Sequence, residues 1–149
     1  MTGQNQQKVL SKEQIDYVIN LYSSGQYQDA IDQIKILNEA YPNVPFLFNL
    51  IGACYKELGK LEGAVKMFGT AVDIKPDYAE AYKNLGITLR GTGQLEGAVK
   101  SLRKALALDS GYVDAHYNLA ITLNELGQYD DAINSYQKAI AINRNFADA

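Results

Sequence analysis

The sequence repeats itself every 34 residues, and this internal period constrains the fold more than any other feature of the chain. The string LEGAVK stands at 61–66 and again at 95–100. Single residues recur at the same shift, as in the columns Gly25, Gly59, Gly93 and Gly127, and Ala30, Ala64, Ala98 and Ala132. The period predicts an N-terminal tail, four units and the start of a fifth unit. Their bounds are 1–10, 11–44, 45–78, 79–112, 113–146 and 147–149.

Each unit has the pattern of two helices joined by a tight turn. In the third unit, Tyr82, Leu85 and Leu89 have the spacing of one helix face. A second helical pattern starts at Leu95, shortly after Gly93. Glycine adopts the left-handed backbone that often ends a helix. The unit is therefore predicted to be an antiparallel helix pair.

Capping and breaking residues indicate where these helices begin and end. Ser11 with Gln14 forms a capping-box pattern at the start of the first unit. Pro42 and Pro76 follow the second helices of the first two units, where proline cannot continue a helix. Ser110 and Arg144 replace that proline in the third and fourth units, so those ends are less sharply marked.

Small residues recur within the first helices. Gly52, Gly86 and Ala120 share one column, and we expect a neighbouring helix to approach closely there. A larger side chain would overpack this contact at a cost of about 1–3 kcal/mol.

The full column pattern resembles the tetratricopeptide repeat. In the second unit the matching residues are Phe48, Ile51, Gly52, Tyr55, Gly59, Ala64, Phe68, Ala71 and Pro76. The resemblance implies an all-α fold, a right-handed superhelical solenoid of antiparallel helix pairs, with a concave groove lined by the first helices. The chain looks like an N-terminal array of a bacterial protein of this kind. Its last two units are similar to arrays attached to O-linked N-acetylglucosamine transferases and bacterial sulfotransferases.

Composition argues against several other functions. Seventeen acidic and fourteen basic residues leave a net charge of −3, which lacks the basic footprint of a nucleic-acid binder. The single cysteine, Cys54, and the single histidine, His116, leave no basis for a metal site, a cofactor or nucleophilic catalysis. We interpret both as packing residues and expect no enzyme activity.

No apolar run approaches the roughly 20 residues needed to cross a bilayer. The first ten residues lack the apolar core of a secretory signal, so we expect a cytoplasmic protein without membrane contact.

The groove positions of the family, transferred to this sequence, fall on the four first helices. The predicted partner-binding residues are Lys12, Ile15, Ile19, Tyr22, Phe46, Asn49, Lys56, Lys83, Asn84, Ile87, Arg90, Tyr117, Asn118, Ile121 and Asn124.

The chemistry of the expected ligand follows from an apolar stripe and a group of cations among the predicted groove residues. The stripe recurs every 34 residues and consists of Ile19, Ala53, Ile87 and Ile121. Lys56 and Arg90 form a neighbouring column, with Lys83 nearby, and we expect these cations to lack fixed partners. The hypothesis is a peptide or helix segment with apolar anchors and acidic residues. The alternative is that the stripe packs between adjacent first helices.

Two known binding modes of the family can be compared with the sequence. The chaperone-tail clamp needs cations where this chain has Glu80 or Asp114, so recognition of a chaperone C-terminal carboxylate is not expected. Asn84 and Asn118 share a column that resembles the asparagine ladder of the glycosyltransferase arrays, here with only two rungs.

The last helical segment presents Ile133, Tyr136 and Ile140 on one face, which a fifth unit would normally cover. Either the chain is a portion of a longer protein, or this end associates with another copy as a homo-oligomer.

We therefore expect a non-catalytic scaffold for protein interactions. The alternatives are a substrate-presenting arm of a larger glycosyl- or sulfotransferase, and an assembly scaffold that polymerises through its ends.

Overall fold

A computed structural model describes residues 9–147 of the chain. Most of the predicted tail and residues 148–149 of the predicted fifth unit lie outside the described residues. The described region consists of helices and connecting turns, without a β-strand. The helices are α1 (Lys12–Ser23), α2 (Tyr27–Ala40), α3 (Pro45–Glu57), α4 (Leu61–Ile74), α5 (Ala79–Gly91), α6 (Leu95–Leu108), α7 (Val113–Glu125) and α8 (Tyr129–Ala147).

The first helix begins at the predicted capping box. The backbone N–H of Gln14 donates to Ser11 Oγ at 3.1 Å, and the backbone N–H of Ser11 donates to Gln14 Oε1 at 2.9 Å. Each bond satisfies an N–H group that has no partner within a helix, so α1 begins firmly at Lys12.

One glycine closes the turn within each helix pair. Gly93 has a φ of 82°, and its counterparts in the other turns have similar positive values. The backbone N–H of Gln94 donates to the carbonyl of Leu89 at 2.9 Å across this glycine. A side chain with a Cβ would be strained there, which explains why glycine recurs at this point of the period.

The helices pack mainly with their neighbours in sequence. Each first helix contacts its own second helix, and each second helix contacts the first helix that follows. The first helices α3 and α5 touch each other, as do α5 and α7, whereas consecutive second helices make no comparable contact within the described region. The first helices therefore form the inner, concave wall of a curved stack, and the second helices form its outer side.

The column of small residues in the first helices makes the close helix contacts that the sequence predicts. A Cβ at Gly52 would lie 2.8 Å from the ring of Phe68, and a Cβ at Gly86 would lie 2.6 Å from Leu102 Cγ. In both places the nearest atoms belong to a large core side chain. A Cβ at Gly86 would also lie 3.1 Å from the carbonyl oxygen of Ala98.

The last helix differs from the other second helices. It spans 19 residues, whereas α2, α4 and α6 span 14 each. It runs past Arg144 and reaches Ala147, where the period predicted the start of a fifth unit. Arg144 stands where the first two units have a helix-breaking proline, and its positive charge suits a helix C-terminus. Ser110 also replaces the proline in the third unit, where α6 still ends at Leu108, so the missing proline permits the longer helix without being its whole cause.

Candidate functional site

The predicted groove residues all lie on the four first helices, but their exposure differs widely. Lys12, Ile19, Tyr117 and Asn124 are exposed. The half-buried members are Ile15, Tyr22, Phe46, Lys56, Lys83, Ile87, Arg90, Asn118 and Ile121. Asn49 and Asn84 are buried. Exposure therefore divides the predicted set into side chains that face solvent and side chains that hold the inner wall together.

The apolar stripe is accessible along its length. Ile19 is 37% exposed, and Ala53, Ile87 and Ile121 are half-buried. Beside the stripe, Tyr117 is 53% exposed, and its ring packs edge-on against Tyr136 with 5.8 Å between the ring centroids. These residues leave an apolar surface on the concave wall that a ligand can cover.

A buried amide pair joins two first helices. Asn84 Nδ2 donates to Asn49 Oδ1 at 3.1 Å, and Asn49 Nδ2 lies 3.5 Å from Glu80 Oε1. Asn118, the second rung of the predicted ladder, donates its Nδ2 to the carbonyl of Asp114 at 2.8 Å. One amide N–H of each rung is thus used within the protein, and the Asn49–Asn84 pair braces α3 against α5.

Two of the three predicted cations have partners, which corrects the expectation that they lack them. One guanidinium nitrogen of Arg90 donates to Asn118 Oδ1 at 3.3 Å, which links α5 to α7. Lys83 Nζ lies 5.4 Å from the centroid of the Tyr112 ring, within the range of a cation–π interaction. Arg90 retains further N–H donors, so it can still bind a carboxylate.

Charges on the wall are separated along the helix axis. Lys56 and Arg90 lie in the last turns of α3 and α5. Glu80 and Asp114 lie in the first turns of α5 and α7. Helix dipoles favour this arrangement. It places the two cations at one edge of the groove, here called the positive edge, and the two carboxylates at the other, the negative edge. The exposed Glu57 and Glu125 also end α3 and α7 at the positive edge, so its cations have carboxylates beside them.

The negative edge contains tyrosines that sequence reasoning missed. Burial is the main cause that raises the pKa of Tyr78, and the negative charge of Glu80 adds to it. The same two causes raise the pKa of Tyr112 to about 12. At the opposite edge, in the last turn of α1, burial followed by the charge of Glu57 raises the pKa of Tyr22, which is one of the predicted groove residues. These hydroxyls stay neutral at physiological pH. The 34-residue spacing of Tyr78 and Tyr112, just before α5 and α7, is the signal that could have found them.

Cys54 and His116 are both packing residues, as the sequence indicates. Burial raises the pKa of the Cys54 thiol to about 11, so the thiol stays protonated at neutral pH. His116 is 7% exposed, and its Nε2 donates to the carbonyl of Ser110 at 2.8 Å. Within the described residues, no group of three or more acidic, histidine and cysteine side chains is placed to hold a metal ion. None of the helices described has the length and apolarity to span a membrane.

Comparison with protein families identifies the repeat. A family model described as TPR repeat matches residues 52–93 and 88–126, and one described as tetratricopeptide repeat matches residues 113–146. The chain belongs to the tetratricopeptide repeat family.

A curated relative shares part of the array. Anaphase-promoting complex subunit 3 of Dictyostelium discoideum is 35% identical over 65 residues. This match spans 44% of the present chain and 7% of that protein, so most of the relative has no counterpart here.

Solved structures share the whole fold. One crystal structure of MamA superposes with a TM-score of 0.85 at 18% identity, covering 91% of this chain and 80% of that chain. MamA from Desulfovibrio magneticus RS-1 superposes with a TM-score of 0.81 at 23% identity, covering 89% of this chain and 75% of that chain. Both likenesses concern the fold. The tetratricopeptide repeats of this chain form a right-handed superhelical solenoid.

Proposed function

We propose that the concave groove binds an extended peptide or a helical segment of another protein, without catalysis. The observation that carries this proposal is the accessible apolar stripe, Ile19, Ala53, Ile87 and Ile121, on the inner wall. Apolar anchors on such a ligand would cover the stripe and supply most of the binding energy.

The charge separation supports an orientation for the ligand. Acidic residues of the ligand would lie at the positive edge, where Lys56 is half-buried and Arg90 is held by Asn118. The other end of the ligand would lie near Glu80 and Asp114, which repel a second acidic group. We therefore propose a ligand with apolar anchors and acidic residues concentrated at one end.

The test is selection of peptides from a random displayed library against the purified protein. Selected peptides should combine apolar anchors with acidic residues. Reversing both charges, Lys56→Glu with Arg90→Glu, should weaken these peptides more than about tenfold, because attraction becomes repulsion at the positive edge.

Lys100→Glu with Lys104→Glu is the matched control, since both lysines are exposed on α6, in the outer layer. This control should retain the affinity of the wild type. Equal affinity of the groove variant and the wild type would refute the assignment, as would selection of purely basic peptides.

We also propose that the protein forms a homo-oligomer through α8. Ile133 and Ile140 are 53% and 56% exposed, and Tyr136 lies half-buried between them. One period earlier, the counterpart of Ile133 is Val99, which is only 7% exposed because the next first helix covers it.

The other end of the stack favours pairing of two α8 faces. Where α3 places Leu47, Leu50 and Cys54 in the core, α1 places exposed polar residues in the same columns. These polar residues are Glu13, Asp16 and Asn20. A polar face is a poor cover for isoleucines, so a symmetric contact between two copies of α8 fits better than a head-to-tail contact.

Light scattering over a concentration series tests this oligomer. The mass of the wild type should rise with concentration, and Ile133→Lys with Ile140→Lys should remain monomeric. Ile36→Lys is the control, because Ile36 is also exposed on a second helix, at 59%. A monomeric wild type at every concentration would contradict the proposal.

A further inference from the structure

A cleft of about 540 Å³ opens on the outer side of the stack, between α6 and α8. Its floor is α7, which packs against both helices, while α6 and α8 make no comparable contact with each other in the described region. Six of the residues that line it are Arg103, Leu106, His116, Leu123, Ser135 and Lys138. Its volume lies within the range of small-molecule sites in proteins, about 300–1,000 Å³.

The cleft lies where the aromatic column of the repeat is interrupted. Phe48 and Tyr82 occupy this column in the second and third units, and Tyr82 packs into the core clusters on either side of it. In the fourth unit the column holds His116, whose imidazole is smaller than a phenol ring. The bond from His116 Nε2 to the carbonyl of Ser110 also holds the imidazole in one orientation. The histidine therefore cannot swing into the space that a larger ring would fill.

The inside and the mouth of the cleft differ in chemistry. Leu106 and Ile142 are half-buried and give the cleft its accessible apolar surface, while Leu119, Leu123 and Ser135 are buried members of the lining. Arg103 and Lys138 are exposed at the mouth, one on each flanking helix. Asp131 is the single acidic side chain among the lining residues, so the mouth has one net positive charge.

We propose that this cleft binds a small aromatic carboxylate. The aromatic ring lies against Leu106 and Ile142, in the space that the smaller side chain of the aromatic column leaves at His116. The carboxylate lies at the mouth, between the guanidinium of Arg103 and the ammonium of Lys138. This site is separate from the concave groove and does not depend on the function proposed for the groove.

The probes are 4-hydroxyphenylacetate and its neutral analogue 2-(4-hydroxyphenyl)ethanol, titrated into the whole chain and followed by amide chemical shifts in NMR. Both compounds carry the same ring, and they differ in the carboxylate. We expect the acid to shift amides of α6, α7 and α8 and to bind about fivefold or more tightly than the alcohol.

Three variants and one control variant test the arrangement of the ligand. His116→Tyr restores the aromatic column and should abolish binding of both probes, while the amide spectrum away from the cleft stays unchanged. His116→Phe should also abolish binding, and it shows that the loss does not come from the hydroxyl that the tyrosine variant introduces. Arg103→Gln with Lys138→Gln should reduce the affinity for the acid to that for the alcohol. Lys104→Gln, one residue along α6 and outside the lining, should leave both affinities unchanged.

Several results would overturn the proposal. One is equal affinity for the acid and the alcohol in the wild type. Another is unchanged binding by His116→Tyr and His116→Phe. A third is a set of shifted amides that maps to the concave wall, and a fourth is no saturable shift with either probe.

Discussion

Replacing Phe68 with alanine will lower the free energy of unfolding by about 3–5 kcal/mol. The ring is fully buried on α4, and it lies so close to α3 that a Cβ at Gly52 would come within 2.8 Å of it. Removing the ring leaves a cavity between the two helices of the second pair. The backbone of a helix pair relaxes only partly into such a cavity, so most of the lost contact energy is not recovered.

Urea denaturation followed by circular dichroism measures this loss. Tyr129→Ala is the matched control, because it also removes an aromatic ring from a second helix, but from a side chain that is 62% exposed. The control should change the free energy of unfolding by less than about 0.5 kcal/mol. Similar losses in the two variants would show that the ring of Phe68 is not the packing centre of its pair.

Gly86→Val is expected to destabilise the protein by about 3 kcal/mol through overpacking. A Cβ at Gly86 would lie 2.6 Å from Leu102 Cγ and 3.1 Å from the backbone carbonyl oxygen of Ala98. Leu102 is fully buried, and a helix carbonyl cannot move without loss of its own hydrogen bond. The two helices of the third pair must therefore separate to admit the side chain.

The same substitution at Gly69 separates this packing effect from helix propensity. Gly69 also lies within a helix, but a Cβ there would meet no atom within 4 Å. Valine has a slightly better helix propensity than glycine, so Gly69→Val should alter the free energy of unfolding by less than about 0.5 kcal/mol. Thermal and urea unfolding of the two variants together give the comparison. Equal effects would mean that close packing does not select glycine at position 86.

Much of the fold could be predicted because the same pattern of apolar, small and turn residues recurs in the repeat units. The all-α solenoid, the family and the burial of Cys54 and His116 are confirmed. The capping box at Ser11 is confirmed as well, because a cap depends only on residues three apart in sequence. The expected end of the last helix was less secure, since Arg144 removes the local signal that proline supplies in the first two units.

The sequence could predict that the proposed groove residues lie on the first helices, but it could not predict which of their side chains contact each other. Asn84 was expected to meet a ligand backbone, and the structure shows that it is buried and donates one amide N–H to Asn49, a neighbour from another column of the repeat. Arg90 was expected to lack a partner, yet it donates to Asn118 of the next first helix. Both contacts join residues about one period apart, and a column pattern compares such residues without showing whether they touch.

The sequence by itself determined the helix pairs, their turns and the face that each helix buries, because these depend on spacings within one unit and on glycine at one backbone angle. Only the tertiary structure decided which wall side chains are bound to each other, which remain accessible, and where the outer layer opens into a cleft. The angle between successive pairs sets all three. That angle arises from the summed packing of many side chains across each interface, so no single spacing in the sequence encodes it.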